Sequence, residues 1–174
     1  MNIIDKMVLG TVQFGIDYGI SNEVGKPTKK EVFGILDHAW VKGIKCFDTA
    51  PGYNSEAFLG EFIKANGLKK EAKVLTKIPS LEESEDYETS IKITIESSLK
   101  NLGCSINVLF FHDPADSDLL LKNPRFFENL LQDYPISTLG LSVYDPKEVV
   151  QISGIFLEPA FQFPLNVLDR RFEQ

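Results

Sequence analysis

Cysteine, histidine and long apolar runs are all scarce in this chain of 174 residues, and each shortage excludes a class of protein. The two cysteines, Cys46 and Cys104, are too few and too far apart to form a disulfide framework or a zinc site. No apolar run approaches the roughly 20 residues that span a bilayer, and residues 1–6 lack the layout of a signal peptide. We therefore predict a cytoplasmic protein with no membrane partner and no metal.

Positive charge is also in short supply. The chain has 18 Lys and Arg against 25 Asp and Glu, which gives a formal net charge of -7. A surface that binds nucleic acid needs clustered basic side chains, whereas short pairs such as Lys69-Lys70 and Arg170-Arg171 are typical of solvated faces. We expect no nucleic-acid partner.

What the chain does have is a regular alternation of short β-rich runs with amphipathic segments. This is the pattern of strand-helix units on a parallel sheet, and the nearly continuous apolar runs indicate strands buried on both faces. No interdomain linker interrupts residues 1–174, so we predict one domain. The six predicted strands are residues 7–12, 44–49, 73–78, 106–112, 137–143 and 155–163.

Start and stop signals predict five helices between these strands. The first has a capping box of Thr28 and Glu31 and ends at Gly43. Residues 15–27, before it, form the longest irregular stretch and are predicted as a loop. The second helix begins near Asn54 or Ser55, and the fifth begins at Asp145. The third has an apolar face of Ile91, Ile95, Leu99 and Leu102. The fourth begins at a capping Asn123 and buries Phe127, Leu130 and Leu131.

Four polar residues lie at or just after the ends of predicted strands, namely Asp48, Tyr53, Lys77 and His112. Each could have an ordinary structural role: a turn cap, a packed loop aromatic, a solvated strand end, a core histidine. Together they would meet at one mouth of a parallel barrel, which is the catalytic face of such folds. Convergence of all four is difficult to explain by packing alone.

These side chains suit the protonation of a carbonyl group. The ammonium of Lys77 would favour the phenolate of Tyr53 and ease release of its proton. Asp48 would keep Lys77 charged, and His112 could orient a carbonyl oxygen. The set contains no source of electrons, so a hydride carrier such as a nicotinamide must come from outside the protein.

The chain resembles an aldo-keto reductase over essentially its whole length. The resemblance implies a (β/α)8 TIM barrel that binds NADPH and reduces an aldehyde or ketone, with Tyr53 as the proton donor and Asp48, Lys77 and His112 as the other catalytic residues. The matching residues are Phe47-Asp48-Thr49-Ala50, Tyr53, Glu56, Leu59 and Gly60, with Lys77 and His112 at the next two strand ends.

The resemblance also implies which residues bind the cofactor: Thr11, Asp48, Ser142 and Gln162. Ser142 and Gln162 stand where the family holds the nicotinamide carboxamide. One departure is Val143, because the family often has an amide side chain after the serine.

The length of the chain supplies only part of such a barrel. Eight units usually need about 250 residues, so 174 residues provide about six of them. A truncated piece of a longer protein, completion by another chain, and a natural short form all remain open. We expect an enzyme acting on a small carbonyl substrate; the alternative is a catalytically weak or inactive barrel fragment that serves as a binding or regulatory module. Open sheet edges would favour self-association.

Overall fold

The computed structural model describes residues 3–81, 86–152 and 158–173. They contain a six-stranded sheet in which every neighbouring pair is parallel and the strand order follows the chain. This is the predicted curled sheet of a partial (β/α)8 barrel. The strands are β1 (Val8–Gly10), β2 (Cys46–Asp48), β3 (Lys73–Ile78), β4 (Ile106–Phe111), β5 (Ile136–Ser142) and β6 (Ala160–Gln162).

All six predicted strands have a counterpart, and their ends differ most at the edges of the sheet. Residues 155–157 of the predicted sixth strand lie outside the described residues, and β6 begins at Ala160. β1 is three residues long, because Val12, predicted as its last residue, begins a helix instead.

The described part of the chain contains seven α-helices, of which α1 and α5 correspond to none of the five predicted helices. Both are short, and the five longer ones match the predictions. The helices are α1 (Val12–Gly15), α2 (Lys29–Val41), α3 (Glu56–Ala65), α4 (Tyr87–Leu102), α5 (Ser117–Lys122), α6 (Pro124–Asp133) and α7 (Pro146–Ile152).

The predicted helix caps have different outcomes. The capping box of α2 is confirmed, because Thr28 accepts from the Glu31 amide and the Glu31 carboxylate accepts from the Thr28 amide at 2.7 Å. Asn123 is the N-cap residue of α6, as predicted, but its side chain makes no cap hydrogen bond, and its Nδ2 group donates to Tyr87 and Glu88.

One apolar core joins the sheet to its helices. Phe47 on β2, Val74 on β3 and Leu109 on β4 are fully buried in a cluster that includes residues of α2, α3, α4 and α6. Fully burying a side chain of this size contributes roughly 1.5–3 kcal/mol. Leu131, predicted in the core, is 36% exposed on α6. No helix in the described ranges is long and apolar enough to cross a membrane.

Candidate active site

The predicted site residues lie along one edge of the sheet. Asp48, Ser142 and Gln162 are the last residues of β2, β5 and β6, and Ser142 pairs with Gln162 in the register. Lys77 is next to last in β3, and His112 follows β4 directly. Because all six strands are parallel, these C-terminal ends meet on the same side.

The side chains of Lys77 and Asp48 form a buried ion pair. Lys77 Nζ donates to Asp48 Oδ1 at 2.5 Å and Oδ2 at 2.9 Å, and to the carbonyl oxygen of Thr49 at 3.0 Å. All three oxygens only accept, so together they call for the three N–H groups of an ammonium. Burial lowers the pKa of Lys77, and the charge and hydrogen bonds of Asp48 oppose that shift. The pair therefore fixes a positive charge beside Tyr53.

Tyr53 ends a 3₁₀ turn, Pro51–Tyr53, that follows β2. Lys77 Nζ lies 4.9 Å from the centre of the Tyr53 ring, within the range of a cation–π contact. Burial, and then the negative charge of Asp48, raise the pKa of Tyr53 to about 12. The net shift is therefore upward, opposite to the predicted easing of proton release, because burial and the charge of Asp48 both disfavour the phenolate. The phenol is protonated at neutral pH.

Tyr53, Lys77 and His112 line one cavity of about 210 Å³. Burial and the charge of Lys77 lower the pKa of His112, which favours a neutral imidazole at neutral pH. A cavity wall made largely of apolar groups, with an N–H, an O–H and an ammonium nearby, can orient and protonate a carbonyl. Its other lining residues are Ile16, Ala50, Pro51, Gly52 and Pro79.

A larger cavity of about 1020 Å³ lies beside β1 and α2. Its walls include Leu9, Val24 and Ile35, and none of the predicted site residues lines it. Size alone would point here, but the polar groups suited to chemistry converge on the smaller cavity. We therefore place the candidate site at Tyr53.

Comparison with known proteins shows the family of this chain and agrees with its fold. A model of the Aldo/keto reductase family matches residues 6–174. The chain belongs to the aldo/keto reductase family. The signature residues that suggested the resemblance lie within this match.

Similar structures share the fold of this aldo/keto reductase chain. The aldo-keto reductase of Bacillus halodurans, in its holo form, is 22% identical, with a TM-score of 0.77 over 96% of this chain and 55% of that one. A silkworm aldo-keto reductase complexed with NADPH is 20% identical, with a TM-score of 0.69 over 91% of this chain and 50% of that one. A curated relative, norsolorinic acid reductase of Emericella nidulans, is 28% identical over 124 residues, or 63% of this chain and 32% of the relative. The chain thus spans about a third to a half of the length of such relatives.

Two residues of this aldo/keto reductase chain offer polar groups where its cofactor is expected. Ser142 Oγ is buried and has no hydrogen-bond partner among the described residues. Gln162 Nε2 lies 3.3 Å from Asp48 Oδ1. A buried hydroxyl without a partner has a free donor and acceptor for a water or a ligand, and at this edge it fits an amide such as that of nicotinamide. Val143 is buried, and its amide donates to the Gln162 carbonyl at 2.8 Å.

Thr11 lies at the end of β1 as predicted, but its hydroxyl is used within the protein. The side chain is fully buried, and Oγ1 donates to the carbonyl oxygen of Asp48 at 2.9 Å. It also lies 2.8 Å from the hydroxyl of Ser55. The hydroxyl is therefore committed to groups of the protein, and the contact of Thr11 with a cofactor stays a prediction.

Thr49, Ser55 and Gly15 are neighbours of the site that sequence reasoning missed. Ser55 Oγ lies 2.8 Å from Thr49 Oγ1, and Gly15 packs directly against the main chain of Tyr53. Ser55 precedes α3, where a serine normally caps the helix, yet it makes no cap hydrogen bond. The sequence does place small polar residues on both sides of Tyr53. A serine at this position is equally typical of the start of a helix, so the sequence alone does not indicate a role in the site.

Proposed function

We propose that the protein is an NADPH-dependent oxidoreductase that reduces an aldehyde or ketone, with Tyr53 as the proton donor. The observation that carries this proposal is the convergence of Tyr53, Lys77 and His112 on one cavity, with Asp48 paired to Lys77. Relatives named as reductases and a neighbour complexed with NADPH support the same chemistry.

Each residue has a separate role in this proposal. The neutral imidazole of His112 donates a hydrogen bond to the substrate carbonyl oxygen, and the phenol of Tyr53 gives it a proton. Lys77 stabilises the phenolate that remains, because its ammonium lies over the ring. Asp48 keeps Lys77 charged and in position.

The residues at the ends of β5 and β6 are proposed to hold the cofactor. The hydroxyl of Ser142 and the amide of Gln162 would bind the nicotinamide carboxamide, and Asp48 lies next to them. Bound nicotinamide would supply the hydride that no side chain can provide. We propose that Thr11 contributes through the main chain of Asp48, to which its hydroxyl donates.

NADPH oxidation with a panel of small aldehydes and sugars tests the proposal. We expect Tyr53→Phe to lower kcat/KM by about 10²- to 10⁴-fold, since it removes the proton donor. Tyr134→Phe is the matched control, because that phenol lies at the end of α6 and binds Glu96. Equal rates for wild type and Tyr53→Phe would contradict the mechanism.

The same assay separates an enzyme from a binding module. A binding module would bind NADPH, measured by fluorescence, without consuming it in either wild type or Tyr53→Phe. The apolar walls at Ile16, Pro51 and Pro79 lead us to expect faster turnover of apolar aldehydes than of sugars. The cytoplasmic location and self-association through the sheet edges stay predictions.

A further inference from the structure

Three buried hydroxyls form a chain beneath the candidate site. Thr11 follows β1, Thr49 follows β2 and Ser55 precedes α3, and all three side chains are fully buried. Ser55 Oγ lies 2.8 Å from Thr11 Oγ1 and 2.8 Å from Thr49 Oγ1. The chain of hydroxyls therefore links the ends of two neighbouring strands to the start of a helix.

The positions of the three protons follow from one end of the chain. Thr11 Oγ1 lies 2.9 Å from the carbonyl oxygen of Asp48, which can only accept, so Thr11 donates its one proton there. Ser55 must then donate to Thr11, and Thr49 to Ser55. Each proton is used once, and none is left to donate to a ligand. The hydroxyl chain is thus suited to hold main chain in place.

The two ends of the hydroxyl chain meet the main chain that carries the ion pair. The Asp48 carbonyl accepts from both the hydroxyl and the amide of Thr11, each at 2.9 Å. The Thr49 carbonyl accepts from Lys77 at 3.0 Å. Ser55, in the middle, links the side chains of Thr11 and Thr49.

Ser55 also closes the loop that bears Tyr53. Residues 50–54 leave the sheet after Thr49 and return at Ser55, so the 2.8 Å contact between these hydroxyls joins the base of the loop. Ser55 forgoes a cap hydrogen bond to its own helix. Its hydroxyl is committed to the strand ends instead.

We propose that Ser55 is a positioning residue that acts through Thr49 and Thr11 on the relative placement of Asp48, Lys77 and Tyr53. Its effect on rate rests on the proposed function. Its effect on the site geometry does not, which allows the two to be tested apart.

A matched pair of variants tests the effect on rate. Thr49→Val keeps the shape of the side chain and removes the hydroxyl, whereas Thr49→Ser keeps the hydroxyl. We expect Thr49→Val and Ser55→Ala to lower kcat by about 10- to 100-fold with little change in KM, because small misplacements act on the transition state. Thr49→Ser should retain most of kcat, and Ser98→Ala, a buried hydroxyl on α4, should leave it unchanged. Equal kcat for Thr49→Val and Thr49→Ser would overturn the inference.

A second readout needs no turnover. The chain has two histidines, so an NMR titration with His38→Gln as the assignment variant isolates His112. Its pKa depends on the charge of Lys77, so we expect Thr49→Val and Ser55→Ala to change the pKa and Thr49→Ser to preserve it. If the wild type does not oxidise NADPH, the proposed function fails, but this titration still tests whether the hydroxyl chain positions Lys77 relative to His112. An unchanged His112 titration in both hydroxyl-removing variants would overturn the positioning role.

Discussion

His112 and Lys77 face the same cavity, and their charges are coupled. Burial, and then the charge of Lys77, lower the pKa of His112 below its ordinary value of 6.5. We expect NMR to show His112 titrating below that value, and Lys77→Met to raise its pKa because the positive neighbour is gone. Lys100→Met, on the exposed side of α4, is the control. A His112 pKa that is the same in wild type and Lys77→Met would contradict this coupling.

The same shift has a consequence for stability. Since the folded-state pKa of His112 lies below the unfolded one, the neutral imidazole favours folding above about pH 6.5. That contribution is lost as the pH falls through the folded-state pKa. Urea unfolding should therefore show a loss of stability on acidification that is smaller in His112→Gln.

Gly15 lies directly against the turn that carries Tyr53. A Cβ atom at this position would lie 1.9 Å from the Tyr53 carbonyl oxygen, so any larger residue must push α1 and the turn apart. We expect Gly15→Ala to lower both thermal stability and the rate of NADPH oxidation. Gly34→Ala, in α2, is the control, because a Cβ atom added there would have no neighbour within 4 Å. Alanine in the helix should raise the free energy of unfolding by about 0.5–1 kcal/mol. Gly15→Ala with wild-type stability and rate would show that α1 moves away freely.

Residues at strand ends were predictable because parallel topology alone brings them together. Asp48 and Lys77 are examples, since their meeting needs only neighbouring strands in register. The direction of the Tyr53 pKa shift was not predictable, because it depends on burial and on the distance to the charge of Asp48. The contact of the Thr11 hydroxyl with Ser55 was likewise not predictable, since the two residues are 44 positions apart.

Among the elements, the helices that carry their own local signals were the predictable ones. The capping box of α2 involves residues three positions apart, so the sequence contains all of it. α1 and α5 have four and six residues, and helices this short depend on tertiary contacts. The orientation of the Asn123 side chain also depends on tertiary contacts, because its Nδ2 group donates to Tyr87 and Glu88 on α4.

Glu56 joins three elements beneath the site. Its buried carboxylate in α3 accepts from Thr76 of β3 at 2.8 Å and from Asn101 of α4 at 3.3 Å. We expect Glu56→Ala to lower the free energy of unfolding by about 1–3 kcal/mol, because it leaves buried polar groups without partners. Urea unfolding measures the loss.

Glu61, on the same helix, is the control for this prediction. Its ion pair with Lys29 is exposed, and such pairs contribute about 0–1 kcal/mol, so Glu61→Ala should change stability little. Glu56→Gln keeps an acceptor for Thr76 and should recover part of the stability. Equal losses of unfolding free energy for Glu56→Ala and Glu61→Ala would show that the buried contacts of Glu56 contribute no more than an exposed ion pair.

Across the whole molecule, the order of the strands followed from the sequence, but closure of the barrel did not. Consecutive strand-helix units place each parallel strand beside the last, as β1 to β6 are found. A closed barrel needs its first and last strands to meet through further strands, and the described sheet has β1 and β6 at its edges. The larger cavity, lined by Leu9 of β1 and by residues of α2, lies at the β1 edge.

An open edge of this kind should make the 174-residue chain associate. Val8, on β1, is 46% exposed, so its side chain can contact a second molecule that pairs with this edge. We expect sedimentation velocity to show larger species that grow with protein concentration, and Val8→Lys to reduce them because a charge on an edge strand opposes pairing. Ile93→Lys is the matched control, since Ile93 is 61% exposed on α4, away from the edges. A monomer at every concentration, or an equal effect of both lysines, would show that association does not proceed through β1.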